Sequence, residues 1–359
     1  MKVLGASKFG RQSLRFFSHH PKPHCISPTD VIIKVEYSDL NPVDHHKLNS
    51  RPAGAETPPD RTPFIVGFGG SGVIESVSEM ADEQSRGLLN KRVVFIADPS
   101  NDGSYSQYIR CDRRIVAIIP DDIPFHEAAS IPIAGCTAFE SLAKVGLSVT
   151  DFGPESESAG DGKRLLIVGG SGGVGSWITQ LARSNYPKLD IVCTVGSEDS
   201  SHWCKKMGCD RTIKHDEINT LGGGPKGSCN YIICLTEPTQ TVFTSLTEVL
   251  RPYGQICLVA AGDGIKSLDL SFVFFKCGTV STQTVFSSIR VGYCLDQANE
   301  MAIILRLMGT KRVTAPMNDN WNNIESGWKE CNKEGGYIDV VGSGHMKGKL
   351  VMKIGHHGS

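Results

Sequence analysis

The chain has 359 residues, a length that suggests about two domains. Its 37 basic and 38 acidic residues nearly cancel, so no global field draws it to nucleic acid or to an anionic membrane. With 40% hydrophobic and 21% charged residues, and no apolar run near the roughly 18 residues needed to cross a bilayer, it reads as an ordinary globular protein without a membrane partner.

Residues 1–6 read as a first strand, and residues 1–10 lack the long apolar core of a signal peptide. The twelve cysteines form no CxxC pair and are expected as reduced thiols, which points to the cytoplasm. Residues 31–35, 72–77, 92–96 and 115–119 are short β-type runs separated by Pro and Gly, the pattern of a mostly β domain. Residues 136–147 read as a helix, and the polar stretch 148–163 as an exposed loop. Strand and helix then alternate: strand 165–168, helix 174–185, strand 190–195, helix 199–207, strand 231–234, helix 239–250 and strand 255–259. That alternation predicts a parallel sheet with right-handed crossovers. A longer helix near 291–308 ends it, and a last strand at 349–354 is expected to return to the first domain. The terminal Gly355-His-His-Gly-Ser359 is assigned no function.

The most informative segment is Gly170-x-Gly172-x-x-Gly175, between an apolar strand and an amphipathic helix. In that context Gly170 permits a tight turn, Gly172 lets backbone approach a pyrophosphate, and Gly175 lets the helix pack against the strand. The helix N-terminus near Val174 offers free N–H groups and the positive end of a dipole to the phosphates.

Many segments in one order carry a wider resemblance: Asn41-Pro-Val-Asp44, the glycine-rich 67–73, Gly103-Ser-Tyr-Ser-Gln-Tyr108, 127–132, 137–140, the 165–182 fingerprint, Asp216-Glu217, 231–236 and Gly348-Lys-Leu-Val351. On these the chain resembles the medium-chain dehydrogenase/reductase superfamily, in particular its zinc-independent quinone oxidoreductase-like and "zinc-type alcohol dehydrogenase-like" branch. The resemblance implies an α/β protein with a GroES-like β domain plus a Rossmann doubly wound parallel sheet domain. Its implied layout is a GroES-like catalytic domain at 1–132, a Rossmann NAD(P)-binding domain at 133–308, and a return to the catalytic domain at 309–359. It further implies a homodimer.

Zinc enzymes of this superfamily carry a Cys after the second strand and a His-Glu pair at a Gly-His-Glu turn. Here those places read 38–44 without Cys and Gly67-Phe68-Gly69 without His or Glu, and 78–111 holds only Cys111. Zinc needs at least three protein ligands, so no metal is expected. His45 and His46 are a tempting pair, but neighbours on an extended chain point opposite ways. Close relatives often carry Asp where this chain has Gly69.

The strand before 199–207 ends in Val195-Gly-Ser197 with no acid to bond a ribose 2′-OH, which favours NADPH over NADH, with Lys205, Lys206 or Lys214 as possible supports for the 2′-phosphate. Cofactor contacts are expected from Gly170, Ser171, Gly172, Gly173, Val174, Gly175 and Ser197, and from Leu235 and Ala260 beyond the next two strand ends. By family position, Asn41, Asp44, His45 and Thr137 are the candidate catalytic residues. For Asn41 a turn role and for Asp44 a helix-capping role are the alternatives. His45, Lys47, Tyr105 and Tyr108 are candidate proton donors, and Phe68 and Phe286 are candidate walls of an aromatic-accepting pocket. Without a metal, a quinone or an enone is an easier hydride acceptor than a simple ketone, because the developing charge is delocalised. The expected activity is therefore NADPH-dependent reduction of a quinone or α,β-unsaturated carbonyl. The alternatives are a non-catalytic nucleotide-binding or structural protein and a zinc-free alcohol or aldehyde reductase.

Overall fold

The computed structural model describes residues 1–51, 55, 62–291, 296–318, 327–331 and 333–355. The chain divides into two units: Met1–Cys136 with Phe286–Thr310 and Met317–Ser359, and Thr137–Val285 with Lys311–Pro316.

In the first unit the strand Asp30–Leu40 is the organising element. One edge pairs antiparallel with Gly69–Val77. Its other edge pairs with Tyr108–Asp112 along residues 30–34 and with Leu350–Lys353 along residues 37–40. Arg92–Ile96 and Val116–Ile118 extend the sheet beyond Gly69–Val77. The tail strand Leu350–Lys353 thus belongs to the sheet of the first unit. A strand with partners on both edges and buried on most of its length needs a nearly continuous apolar run, and Val31, Ile33, Val35 and Leu40 join Ile74, Val93 and Phe95 in the core. A smaller sheet, Leu14–Phe17, Val3–Ala6 and Phe64–Ile65, packs Leu4 and Ile65 into the same core.

The second unit is a six-stranded sheet in the order Arg211–Lys214, Asp190–Val195, Arg164–Val168, Cys229–Cys234, Leu250–Leu258, Thr279–Thr282, parallel throughout. Renumbered within the unit this is 3-2-1-4-5-6, the doubly wound order whose direction reverses between the first and fourth strands. The helices Gly173–Asn185, Glu198–Lys206 and Gln240–Val249 are its crossovers. Phe243, Leu246 and Val249 of the last pack on Leu166, Ile232 and Ile256. The Lys276 ammonium closes that helix's end, donating to the carbonyls of Thr247, Glu248 and Leu250 at 2.7–2.8 Å. The antiparallel and the parallel unit are the GroES-like and Rossmann architectures that the resemblance implied.

Differences from expectation fall at polar or short elements. Arg211–Lys214 and Thr279–Thr282 are strands that no apolar run announces, since edge strands bury little. The helix expected near 291–308 is Gln297–Gly309, with a separate helix at Phe286–Val291; residues 292–295 lie outside the described residues, as do 356–359. No helix among the described residues is long and apolar enough to cross a membrane. Every described cysteine is a free thiol.

Candidate functional site

In the second unit the residues expected to hold a dinucleotide collect at the C-terminal ends of parallel strands, where an open sheet places its ligand crevice. The three glycines of the fingerprint do different work. A Cβ on Gly170 would lie 2.5 Å from the Cys193 sulfur, and one on Gly175 would lie 2.4 Å from the Gly170 carbonyl oxygen, so both glycines are required by packing within the unit. A Cβ on Gly172 would meet nothing closer than 3.9 Å. Gly172 faces open space and is also the N-cap of the helix Gly173–Asn185, where no side chain caps the first-turn amides. A 13-residue helix that presents amides and its positive end across a glycine with no side chain is a cradle for an anion. These residues fit a dinucleotide pyrophosphate.

The loop is pinned from behind. Gly169, at φ +83°, donates its N–H to Thr194 Oγ1 at 3.0 Å, and Gly170 donates to the Thr194 carbonyl at 3.2 Å. The same Thr194 hydroxyl lies 2.7 Å from His215 Nδ1. Sequence reasoning did not find the Thr194–His215 support, because it joins two strand ends. Ser171, Gly173 and Val174 line the loop and first turn, partly exposed. Leu235 and Ala260 follow the strands Cys229–Cys234 and Leu250–Leu258 and are also partly exposed. Ser197 is exposed and caps the helix Glu198–Lys206, its Oγ accepting the Ser200 N–H at 3.2 Å. Thr137 is buried on the helix Pro132–Lys144.

In the first unit Asn41 and Asp44 come together. Asn41 is the N-cap of the helix Pro42–Leu48, and its N–H donates to Asp44 Oδ2 at 2.7 Å. Tyr105 donates its hydroxyl to the same oxygen at 3.2 Å. The capping role expected as an alternative for Asp44 is therefore present. Burial and then the neighbouring Asp39 carboxylate raise the Asp44 carboxyl to about 8. Loss of hydration raises the Tyr105 phenol as well. His45 and His46 sit on this helix, not on extended chain as the argument against a ligand pair assumed. The His45 ring abuts Gly342, where a Cβ would lie 2.5 Å from its Cγ, and His45 Nε2 is 3.2 Å from Asn49 Nδ2, while His46 is exposed. Lys47 on the same helix is partly exposed. Tyr108 lies beneath the Lys22 ammonium, 4.0 Å from its ring centroid. Phe68 and Phe286, both buried, meet edge to face at 5.2 Å between centroids.

Sequence reading missed Lys349, which is 1% exposed. Its ammonium donates to the Leu40 carbonyl at 2.7 Å and to Asn41 Oδ1 at 2.6 Å, and stands 3.7 Å from Asp39 Oδ2. Desolvation lowers its pKa, opposed by Asp39 and Asp44. Around it Asp39 Oδ1, Asn41 Nδ2 and Asp44 Oδ1 are buried without a hydrogen-bond partner. Gly69 leaves no room for a side chain: a Cβ would lie 2.5 Å from Pro132 Cβ and 3.1 Å from Asp39 Oδ1. The only early sign of Lys349 was its place in the Gly348-Lys-Leu-Val351 match. Among the described residues no three His, Cys, Asp or Glu side chains are grouped to hold a metal.

The fold and the glycine loop have the arrangement found in dinucleotide-binding proteins. No family model matches the chain. It is 29% identical over 262 residues to a zinc-type alcohol dehydrogenase-like protein of Staphylococcus epidermidis, covering 72% of this chain and 71% of that one. It is 26% identical over 255 residues to an NADPH-dependent alkenal/one oxidoreductase of Arabidopsis thaliana, covering 68% of this chain and 62% of that one. The Escherichia coli quinone oxidoreductase complexed with NADPH shares its fold at a TM-score of 0.75 and 16% identity, over 98% of this chain and all of that one. By sequence and fold together, the chain is similar to proteins of the medium-chain dehydrogenase/reductase type. Within them it is similar to the zinc-type alcohol dehydrogenase-like proteins and the quinone and alkenal oxidoreductases.

Proposed function

We propose that this protein is a zinc-independent, NADPH-dependent reductase of quinones or α,β-unsaturated carbonyls. The observation that carries the reading is the cradle at Gly172, whose open Cβ direction lies at an uncapped helix N-terminus. Gly170, Ser171, Gly172, Gly173, Val174 and Gly175 would hold the pyrophosphate, with Ser197, Leu235 and Ala260 at the neighbouring strand ends. The acid-free tip at Gly196 and Ser197 supports a 2′-phosphate, hence NADPH before NADH. When bound, the nicotinamide supplies the hydride.

Zinc independence is supported by the donor set. Catalytic zinc takes three protein ligands plus an open position, and Asp44 is committed to its helix N-terminus and to Tyr105. Without a Lewis acid, an acceptor that spreads negative charge over a conjugated system suits these residues better than an isolated ketone. Asn41 offers the carboxamide Nδ2, a buried donor with no partner. Tyr105 donates its hydroxyl proton toward Asp44 Oδ2, and His45 and Lys47 on the same helix are partly exposed. Thr137 belongs to this reading by family position only.

A homodimer is part of the same proposal. Thr279–Thr282 is an edge strand of the parallel sheet, and Tyr253, Phe272, Phe274 and Phe275 nearby are exposed, Phe275 by 81%. An open edge beside exposed aromatics is a surface that soluble proteins normally cover.

The test is steady-state oxidation of NADPH with a panel of quinones, alkenals, enones and simple aldehydes. Turnover of the conjugated acceptors after metal chelation supports the reading. Tight NADPH binding without turnover favours the non-catalytic alternative, and preferential turnover of simple aldehydes favours the carbonyl reductase.

A further inference from the structure

Three buried thiols gather within the second unit. Cys193 lies in the strand Asp190–Val195, Cys204 in the helix Glu198–Lys206, and Cys209 just beyond that helix. Their exposures are 0%, 1% and 7%, so Cys209 is the one nearest solvent. A single buried thiol packs as a small apolar side chain and asks for no explanation. Here the turn that ends the helix brings two of them together. Gly208, at φ +105°, donates its N–H to the Lys205 carbonyl at 3.0 Å, and Cys209 donates to the Cys204 carbonyl at 3.1 Å. These two bonds make a Schellman turn, in which the side chains at the two ends of the longer bond pack on each other. Cys204 and Cys209 hold those two positions.

Cys209 is the one thiol of the three whose ionised form is favoured. Hydrogen bonds from the Cys193 thiol and then the Cys204 thiol hold it well below the usual thiol range, against burial and the Asp210 carboxylate. The thiolate is the form that attacks an oxidant. Hydrogen bonding to Cys204 and Cys209 raises the Cys193 thiol instead. The Cys193 sulfur is also closed in, by Gly170, where a Cβ would lie 2.5 Å from it, and by Thr179 Oγ1 at 3.7 Å. Its backbone is out of register for a bond to Cys209. Cys193 pairs with Thr212, and the Asp210 N–H bonds the Ile191 carbonyl at 2.9 Å, so the Cys209 backbone lies about 10 Å back along the strand direction. A disulfide tolerates about 7 Å between Cα atoms.

We infer that Cys209 and Cys204 form a dithiol site oxidised by hydrogen peroxide, with Cys209 as the attacking sulfur and Cys204 as the resolving one. The Cys209 thiolate takes one oxygen of the peroxide, the O–O bond breaks, hydroxide leaves, and a sulfenic acid forms. The Cys204 thiol then attacks that sulfur, an S–S bond forms, and water leaves. Two thiols lose two electrons, and one peroxide becomes two waters once the proton shed by Cys209 is counted. Cys193 stays reduced beneath Gly170. The site is independent of what the second unit binds and of the proposed reductase activity.

The test treats the full chain with a small excess of hydrogen peroxide, blocks the remaining thiols with N-ethylmaleimide in acid denaturant, and digests without reductant. Trypsin with Glu-C separates Cys193, in 189–198, from Cys204, in 199–205, and from Cys209, in 207–211. We expect 199–205 linked to 207–211 by mass spectrometry, and the link lost on adding dithiothreitol. Cys204→Ser should abolish the link and leave a sulfenic acid on Cys209 that dimedone traps, whereas Cys193→Ser should keep the link. A link from 189–198 to 207–211, a Cys209 that peroxide leaves unmodified, a Cys209 oxidised to sulfinic acid without the link, or loss of the link in a folded Cys193→Ser overturns the inference. The digest of the parent protein decides the matter even where a serine variant fails to fold.

Discussion

The Lys349 ammonium lies 2.6 Å from the Asn41 carboxamide oxygen, although 308 positions separate the two residues. The contact follows from register. Leu350 pairs with Leu40 across antiparallel strands, so the residues just beyond that pair, Lys349 and Asn41, meet at the strand ends. A side chain from the end of the chain thereby orients one from its first third.

The glycine loop makes a separable prediction. Gly172→Ala places a methyl group where nothing lies within 3.9 Å, in a backbone conformation that alanine tolerates, so its thermal midpoint should match the parent. Its NADPH affinity should fall tenfold or more, about 1.4 kcal/mol, because the methyl enters the space meant for phosphate. Gly175→Ala should instead lose about 1–3 kcal/mol of stability by overpacking against the Gly170 carbonyl. Fluorescence titration with NADPH and thermal melts separate the two effects.

Cofactor choice is expected to turn on Gly196. A Cβ there lies 3.8 Å from His215, an ordinary contact, so an acid can be introduced. Gly196→Asp would repel a 2′-phosphate and bond a 2′-OH, lowering the kcat/KM ratio of NADPH to NADH at least tenfold. A parent enzyme that already prefers NADH would sink the NADPH assignment.

Asp44 should make stability depend on pH. Its carboxyl ordinarily titrates at 3.8, and in the fold it is raised to about 8, first by burial and then by Asp39. Between those values the native state holds a proton that the unfolded chain has released. The stabilisation is full below 3.8 and is lost progressively as pH rises toward 8. Asp44→Asn keeps an acceptor for the Asn41 N–H and the Tyr105 hydroxyl without titrating. Urea melts at pH 5 and pH 8 should show a smaller loss for that variant than for the parent.

Phe274 and Phe275 are 78% and 81% exposed beside the edge strand. If they lie in the homodimer, Phe274→Glu/Phe275→Glu should yield a monomer by light scattering with its far-UV dichroism intact. A parent that is already monomeric at micromolar concentration would end the dimer reading.

Lys276 donates to three carbonyls at the end of Gln240–Val249, each at 2.7–2.8 Å. Lys276→Met would leave them without that donor and should cost about 2–4 kcal/mol in a denaturant melt.

The parallel unit was largely legible in the sequence, because each inner strand is an apolar run followed by a helix with one apolar face, and local pattern is enough to read such elements. The strands Arg211–Lys214 and Thr279–Thr282 were not, since their flanking position asks little burial of them. The helix at 42–48 was also obscured, its short span and Asn-Pro start reading equally well as a turn. Asn41 and Asp44 were legible as candidates only through resemblance, and their bond to each other came from the helix they begin.

By itself the sequence determined the glycine loop, the two kinds of sheet and the absence of Cys or His at the places where related enzymes bind zinc. These are properties of residue type and local spacing. The tertiary structure alone decided that Gly172 is the open glycine, that Thr194 holds the loop from behind, and that Lys349 is buried against Asn41 and Asp39. Each of these depends on which strands are neighbours and in what register. No local pattern encodes that register, because it is set by long-range burial across the whole unit.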